Sequence, residues 1–294
     1  MKVMLSMLII IPEGLVSFLV YLLASFVLFF LGKLVYGWFH PQIDVKSELV
    51  KKDNFAFSLS MIGYYLGLVF IIGGSLIGPS NGMFEDLVDL FSYGLLGILL
   101  LNLSTIINDK FLLSKFSVRK ELLEDQNAGT GVVEMASAIA SGLVIHGALI
   151  GETTDLVHGM YTASIFWLIG QFVMLLTGFI YNKMTKYDIH EHIEKDNVAV
   201  GIGFAGALIA MANIIRFAIG VEFSSWMTIM EDLSYDLLIG FAFLPAARLL
   251  ADKILLPGEK LTDELVNQEK ANNGAGLIEA FAYISGSILI TWCL

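Results

Sequence analysis

Four times along this chain an Asn opens an apolar stretch rich in small residues: Asp53-Asn54-Phe55-Ala56, Gln126-Asn127-Ala128-Gly129, Asp196-Asn197-Val198-Ala199 and Asn272-Asn273-Gly274-Ala275. The copies lie about 70 to 75 residues apart, and so long a period marks one structural unit copied along the chain. The first and third copies share Asp-Asn-x-Ala-x-(Ser/Gly)-x-(Ser/Gly)-x-x-Gly over 53–63 and 196–206. The second and fourth share Asn-x-x-x-Gly-(Val/Leu)-(Val/Ile)-Glu over 127–134 and 272–279. This alternation predicts a tandem duplication of a half that itself holds two copies, with modules at 1–152 and 153–294.

Apolar residues make up 56% of the 294 positions, charged residues only 15%, and mean hydropathy is +0.76. A soluble domain needs a more charged surface, so lipid is the solvent for most side chains. A helix needs about 20 apolar residues to cross a bilayer core of about 30 Å. Eight stretches qualify, near 13–39, 54–78, 86–108, 127–150, 158–182, 197–220, 232–256 and 272–293. Gly63, Gly67, Gly203 and Gly206 inside them suit close helix packing, because small residues let backbones approach in lipid. The fold class is therefore an all-α integral membrane protein.

Basic residues set the orientation, since Lys and Arg are retained on the cytoplasmic side. They cluster after the odd-numbered spans: Lys46, Lys51 and Lys52; Lys110, Lys115, Arg119 and Lys120; Lys183, Lys186 and Lys195; Lys253, Lys260 and Lys270. The opposite loops carry Glu85, Asp86, Glu152, Asp155, Glu222, Glu231 and Asp232. Both termini are thus expected on the periplasmic or extracellular side. With four spans per half, the halves insert with the same polarity as parallel repeats, related by a pseudo-twofold axis along the membrane normal.

The net charge of −11 argues against nucleic acid as a partner. A lone Cys293 excludes an intrachain disulfide or a Cys-based metal cluster. Residues 1–11 carry one Lys and a short apolar run before Pro12 without a small-residue cleavage site, and are expected to lie at the outer interface or extend the first span.

Each repeated Asn stands after a charged loop and before a helix, the N-cap position where its side-chain oxygen accepts an orphan backbone N–H. Capping alone accounts for Asn54, Asn127, Asn197 and Asn272. The alternative is an anion site, because four partly positive helix N-termini would face one surface beside Lys51, Lys52, Lys195 and Lys270.

Glu134 and Glu279 each lie seven residues beyond their Asn, about 10 Å into the membrane at 1.5 Å per residue. An ionised carboxylate there costs about 2.5 kcal/mol or more, so each is expected to be protonated, hydrogen-bonded or facing water. Small and polar neighbours (Gly131, Ala138 and Ser141; Gly276, Tyr283 and Gly286) predict that both stripes pack inward and bring the acids together near the pseudo-twofold axis. One reading is an interhelical contact that fixes register, and the other a proton or cation path. Met61 and Phe204 take the corresponding place in the odd copies, which favours a role beyond packing.

His146 lacks a His partner at metal or haem spacing, so it is more simply an interhelical hydrogen-bonding group than a ligand, and is carried as a lesser path candidate. Arg216 is expected to snorkel outward or pair with Glu222 or Glu152. Asp109-Lys110-Phe111-Leu112-Leu113 recurs as Asp252-Lys253-Ile254-Leu255-Leu256, read as exposed interface anchors. No phosphate-cradling Gly loop, His-Glu-x-x-His or nucleophile and base arrangement is present, so no catalytic, metal or cofactor site is expected.

Tyr181-Asn182-Lys183-Met184-Thr185-Lys186-Tyr187-Asp188, followed by Glu191, Ile193 and Lys195-Asp196-Asn197-Val198-Ala199, resembles the bacterial inner-membrane YjfL family, a domain of unknown function. Each half is similar to one four-span family module. The first half departs at His40-Pro41 and Lys51-Lys52. The resemblance implies a multi-pass protein of the bacterial inner membrane acting beside envelope-associated partners, and carries over no catalytic residue.

The leading expectation is a non-enzymatic protein that conducts or transports a proton or another small cation past Glu134 and Glu279. The alternative is a non-conducting scaffold whose basic loops, with Lys51, Lys52, Lys183 and Lys186, recruit cytoplasmic or envelope partners. A membrane redox or lipid-modifying enzyme ranks last. Small-xxx-small faces such as Gly63 to Gly67 suit packing within the chain or between copies in a homo-oligomer.

Overall fold

The computed structural model describes residues 13–78, 80–150, 155–221 and 223–294. The expectations for residues 1–11, Glu152 and Glu222 fall outside them. Every regular element among the described residues is helical. The long helices are α1 (Glu13–Phe39), α2 (Phe55–Leu76), α3 (Met83–Ile107), α5 (Ala128–Ile150), α6 (Leu156–Met184), α8 (Val198–Ile219), α9 (Trp226–Leu250) and α11 (Asn273–Cys293). Between them, at the Asn-capped end, lie the short helices α4 (Val118–Leu123), α7 (Ile189–Glu194) and α10 (Leu261–Val266). A π-helical turn at Ser47–Lys51 occupies the corresponding place in the first copy.

Seven described helices have the length and apolarity to cross a membrane: Gly14–Phe39, Phe55–Leu76, Met83–Leu112, Ala128–Ile150, Leu156–Met184, Val198–Ile219 and Asn273–Cys293. The stretch expected at 232–256 lies on α9 and is not among them. That helix is 25 residues long but carries Glu231, Asp232, Asp236, Pro245 and Arg248. Both α3 and α9 end in a π-helical turn, at Asn108–Leu112 and Ala251–Leu255.

Helices α2, α5, α8 and α11 form an inner row, each packed on the next. Their contacts repeat with the sequence copies. Gly131 lies against the backbone of Ala56, Gly201 against Gly129, and Gly276 against Ala199. Each pair joins the second residue after one Asn to the fourth residue after the next Asn. Further along, Gly63 meets Met135, Ala136 clusters with Ala205, and Gly206 meets Ala280. The contacts advance in step on both helices, so neighbours in the row run parallel. A Cβ at Gly131 would stand 2.6 Å from the Ala56 carbonyl oxygen, and one at Gly201 2.7 Å from that of Gly129, so only Gly permits this approach.

The two ends of the row break the rule. Helix α2 has Ser58 where the others have Gly131, Gly201 and Gly276, and α11 has Phe281 where the others have Gly63, Ala136 and Gly206. Phe281 and Ile62 are exposed, as lipid-facing apolar side chains are. Helices α1, α3, α6 and α9 form a second row: α3 packs on α2 and α5, α6 on α5 and α8, and α9 on α8 and α11.

Candidate functional site

The two repeated acids occupy matching places on α5 and α11, yet they do not meet. Helix α8 packs between these helices, so Glu134 and Glu279 belong to separate clusters and the shared central crevice expected from their spacing does not form. The reason is the row itself. Four parallel copies joined by the same small-residue contact leave every second helix apart.

In the first half, the partner of Glu134 is Asp109. The π-helical turn at Asn108–Leu112 widens the end of α3 at this point, where Asn108 donates to Ser137 Oγ at 2.6 Å. Asp109 is thus half-buried against Glu134, a correction to its reading as an exposed anchor, while Lys110 stays exposed. Glu134 is 7% exposed, and Glu134 Oε1 and Asp109 Oδ1 are buried without hydrogen-bond donors. Carboxylate oxygens only accept, so two facing carboxyls close on each other only through a shared proton or a cation. Beside them is a cavity of about 100 Å³ lined by Tyr36, His40, Tyr64, Thr105 and Arg119. Tyr36 stacks on His40 at 4.3 Å and tilts against Tyr64 at 4.8 Å. Burial holds the His40 imidazole below its ordinary titration range.

A second, wider cavity of about 700 Å³ opens at the opposite end of the same helices, lined by Tyr21, Ser75, Glu85, Asp86, Asp89 and Tyr93. Tyr21 and Ser80 donate to Asp86 Oδ2 at 2.5 and 2.6 Å. Between the cavities, Leu28 of α1, Leu68 and Ile71 of α2, and Ile98 and Leu101 of α3 are fully buried.

In the second half, Glu279 is 0% exposed, and its Oε1 accepts from the Arg248 guanidinium and from the hydroxyls of Tyr181 and Tyr283, both at 3.1 Å. Arg248 also lies over the Tyr187 ring at 5.7 Å and donates to its hydroxyl at 3.4 Å. Burial, and then the nearby Glu279, push the Tyr187 phenol up to about 12. Asp252, the counterpart of Asp109, turns away to accept the Leu261 N–H at 2.7 Å.

Every Asn side chain caps its helix: Asn54 accepts from Phe57 N–H, Asn127 from Thr130, Asn197 from Val200 and Asn272 from Ala275, at 2.8 to 3.2 Å. Three of the amide groups also reach forward to a carbonyl of the next copy: Asn54 to Leu122, Asn127 to Ile193, and Asn197 to Leu265. Asp53, Gln126 and Asp196, just before them, have positive φ. The Asn oxygens take the first-turn donors an anion would need, so capping accounts for these residues.

A family model described as a domain of unknown function, DUF350, matches twice, over residues 10–149 and 155–294. The chain belongs to the DUF350 family. A UPF0719 transmembrane protein of Aquifex aeolicus (strain VF5) is 22% identical over 233 residues, covering 77% of this chain and 84% of that protein. No solved structure matches. Together with the helices, these matches make the chain a polytopic membrane protein with an internal repeat.

Within this DUF350 protein, His146 stands apart from both acid clusters. Its Nδ1 lies 2.8 Å from the Phe70 carbonyl oxygen, joining α5 to α2. Arg216 donates to Asn213 Oδ1 at 3.2 and 3.3 Å. No group of three or more His, Cys, Asp or Glu able to hold a metal ion occurs among the described residues. Two members of these clusters were not expected beside the acids: Asp109, whose recurrence as Asp252 was the available signal, and Arg248, which has Thr105 as its counterpart four residues before the matching Asp.

Proposed function

We propose that this protein is an eight-span transporter or channel for a small cation in the bacterial inner membrane, with both termini periplasmic. In this reading modules 1–152 and 153–294 are fused copies of the four-span YjfL-type unit, inserted with one polarity about a pseudo-twofold axis. Helix α9 is the eighth span, and its Arg248 is sheltered by Glu279 rather than exposed to lipid. The working site is Glu134 with Asp109 in the first module; Glu279 serves structure. The observation that carries this is the buried carboxyl pair without outside donors beside one cavity, with an acidic cavity at the opposite end of the same helices.

Proton and potassium flux into liposomes tests it. Glu134→Gln should abolish flux and Glu279→Gln should leave the residual flux sensitive to Glu134→Gln. Undiminished flux in Glu134→Gln would remove the proposed role. Of the lysines the scaffold reading names, Lys52 is paired with Glu48, while Lys51, Lys183 and Lys186 are exposed, so that reading stays as the alternative. No observation favours an enzyme.

A further inference from the structure

We infer that the first-module cavity binds a small guanidinium-bearing cation, and that Arg248 is a built-in copy of that ligand in the second module. The inference rests on the proposed cation site and names its ligand class.

The two modules present the same receptor and fill it differently. Tyr36 and Tyr181 end the first helix of each module, and Glu134 and Glu279 take the same place on the fourth. In the second module a guanidinium lies on the carboxylate, within three phenol rings: Tyr181, Tyr187 and Tyr283. In the first module the position of Arg248 is Thr105 and that of Tyr283 is Ala138, both of which line the open cavity. Truncation of those two side chains leaves a space of about 100 Å³, sized for a guanidinium group rather than for a long ligand. The space keeps an aromatic wall of Tyr36, Tyr64 and His40, and it gains a second acid, Asp109; the cationic Arg119 also lines it but is solvent-exposed. Glu134 Oε1 and Asp109 Oδ1, buried and without donors, are the acceptors that a planar fork of N–H groups satisfies. Aromatic faces add attraction for a delocalised cation. A compact alkali ion or a bare proton would make no use of the fork geometry.

The test is equilibrium binding of radiolabelled guanidinium, at sub-denaturing concentration, to the full chain in nanodiscs, with potassium and tetramethylammonium as competitors. Wild type should bind one equivalent, displaced by methylguanidinium and not by potassium. Glu134→Gln and Asp109→Asn should each weaken binding about tenfold or more, as loss of a charge-assisted hydrogen bond does. Thr105→Arg should fill the cavity from within, losing guanidinium binding without losing thermal stability. Arg248→Ala should gain a second equivalent and recover thermal stability when guanidinium is added. Absence of saturable binding to wild type, or binding that survives both Thr105→Arg and Glu134→Gln, overturns the inference. If Thr105→Arg does not fold, the near-isosteric Glu134→Gln decides alone. Failure of guanidinium to bind while proton or potassium flux remains sensitive to Glu134→Gln rejects this ligand and leaves the cation site standing. Guanidinium binding with no flux of guanidinium, protons or potassium rejects conduction instead.

Discussion

Removing Arg248 isolates a carboxylate that has no water to turn to. The Arg248 side chain is 11% exposed and that of Glu279 0%, so both charges are withdrawn from solvent. Breaking such a pair from one side costs about 3–5 kcal/mol, because the remaining charge stays buried. Arg248→Met should therefore lower unfolding free energy by about that amount, measured by reversible unfolding in mixed detergent micelles. In Arg248→Met with Glu279→Gln, the amide oxygen still accepts from Tyr181 and Tyr283, which now donate to a neutral group. That double variant should return to within about 1–2 kcal/mol of wild type, about 2–3 kcal/mol more stable than Arg248→Met alone. Equal losses in Arg248→Met and in the double variant would refute the argument, since Glu279 would then have found water or another partner.

Gly201→Ala drives a Cβ onto the Gly129 carbonyl oxygen, backbone that has no rotamer to change, and should destabilise by about 1–3 kcal/mol in the same assay. Asn127→Ala removes a cap together with bonds to Glu121 and to the Ile193 carbonyl, and should cost about 2 kcal/mol, whereas Asn272→Ala, at an exposed end of the row, should cost about 1 kcal/mol or less. Lys115 holds Asp188 below the usual carboxylate range across the boundary between the halves. A depressed folded-state pKa contributes stability above the unfolded value of about 3.9 and loses it as pH falls through the folded value. Lys115→Met should thus be slightly less stable than wild type near neutrality, by about 1 kcal/mol or less for so exposed a pair, and the difference should vanish under strongly acidic conditions, as followed by unfolding at a series of pH values.

Membership of a helical membrane class was legible because composition and span length depend on no tertiary contact. The Asn caps were legible for the same reason, since capping is decided within a few residues. The forward bonds from Asn54, Asn127 and Asn197 were not, because a carbonyl some 66 to 68 residues away leaves no mark on local pattern. The short helices between spans were hidden by their length, six residues at most. The site was half legible. Glu134 and Glu279 stood out as acids in lipid, but identical spacing suggested identical surroundings. The difference lies in Ala138 against Tyr283, one turn along on the same face as each acid, and in Thr105 against Arg248, which acquires meaning only when α3 and α9 are placed beside their acids.

Ser58 and Phe281, which close the two ends of the inner row, fix the order of the four copies. If the coding halves were exchanged so that 153–294 preceded 1–152, every residue would be retained, yet the new seam would bring Gly274 to Ser58 and Phe281 to Ile62 where the native seam joins Gly129 to Gly201 and Ala136 to Ala205. Two bulky side chains would hold that joint open. The internal repeat here thus yields a chain whose halves share a family pattern but are not interchangeable as parts.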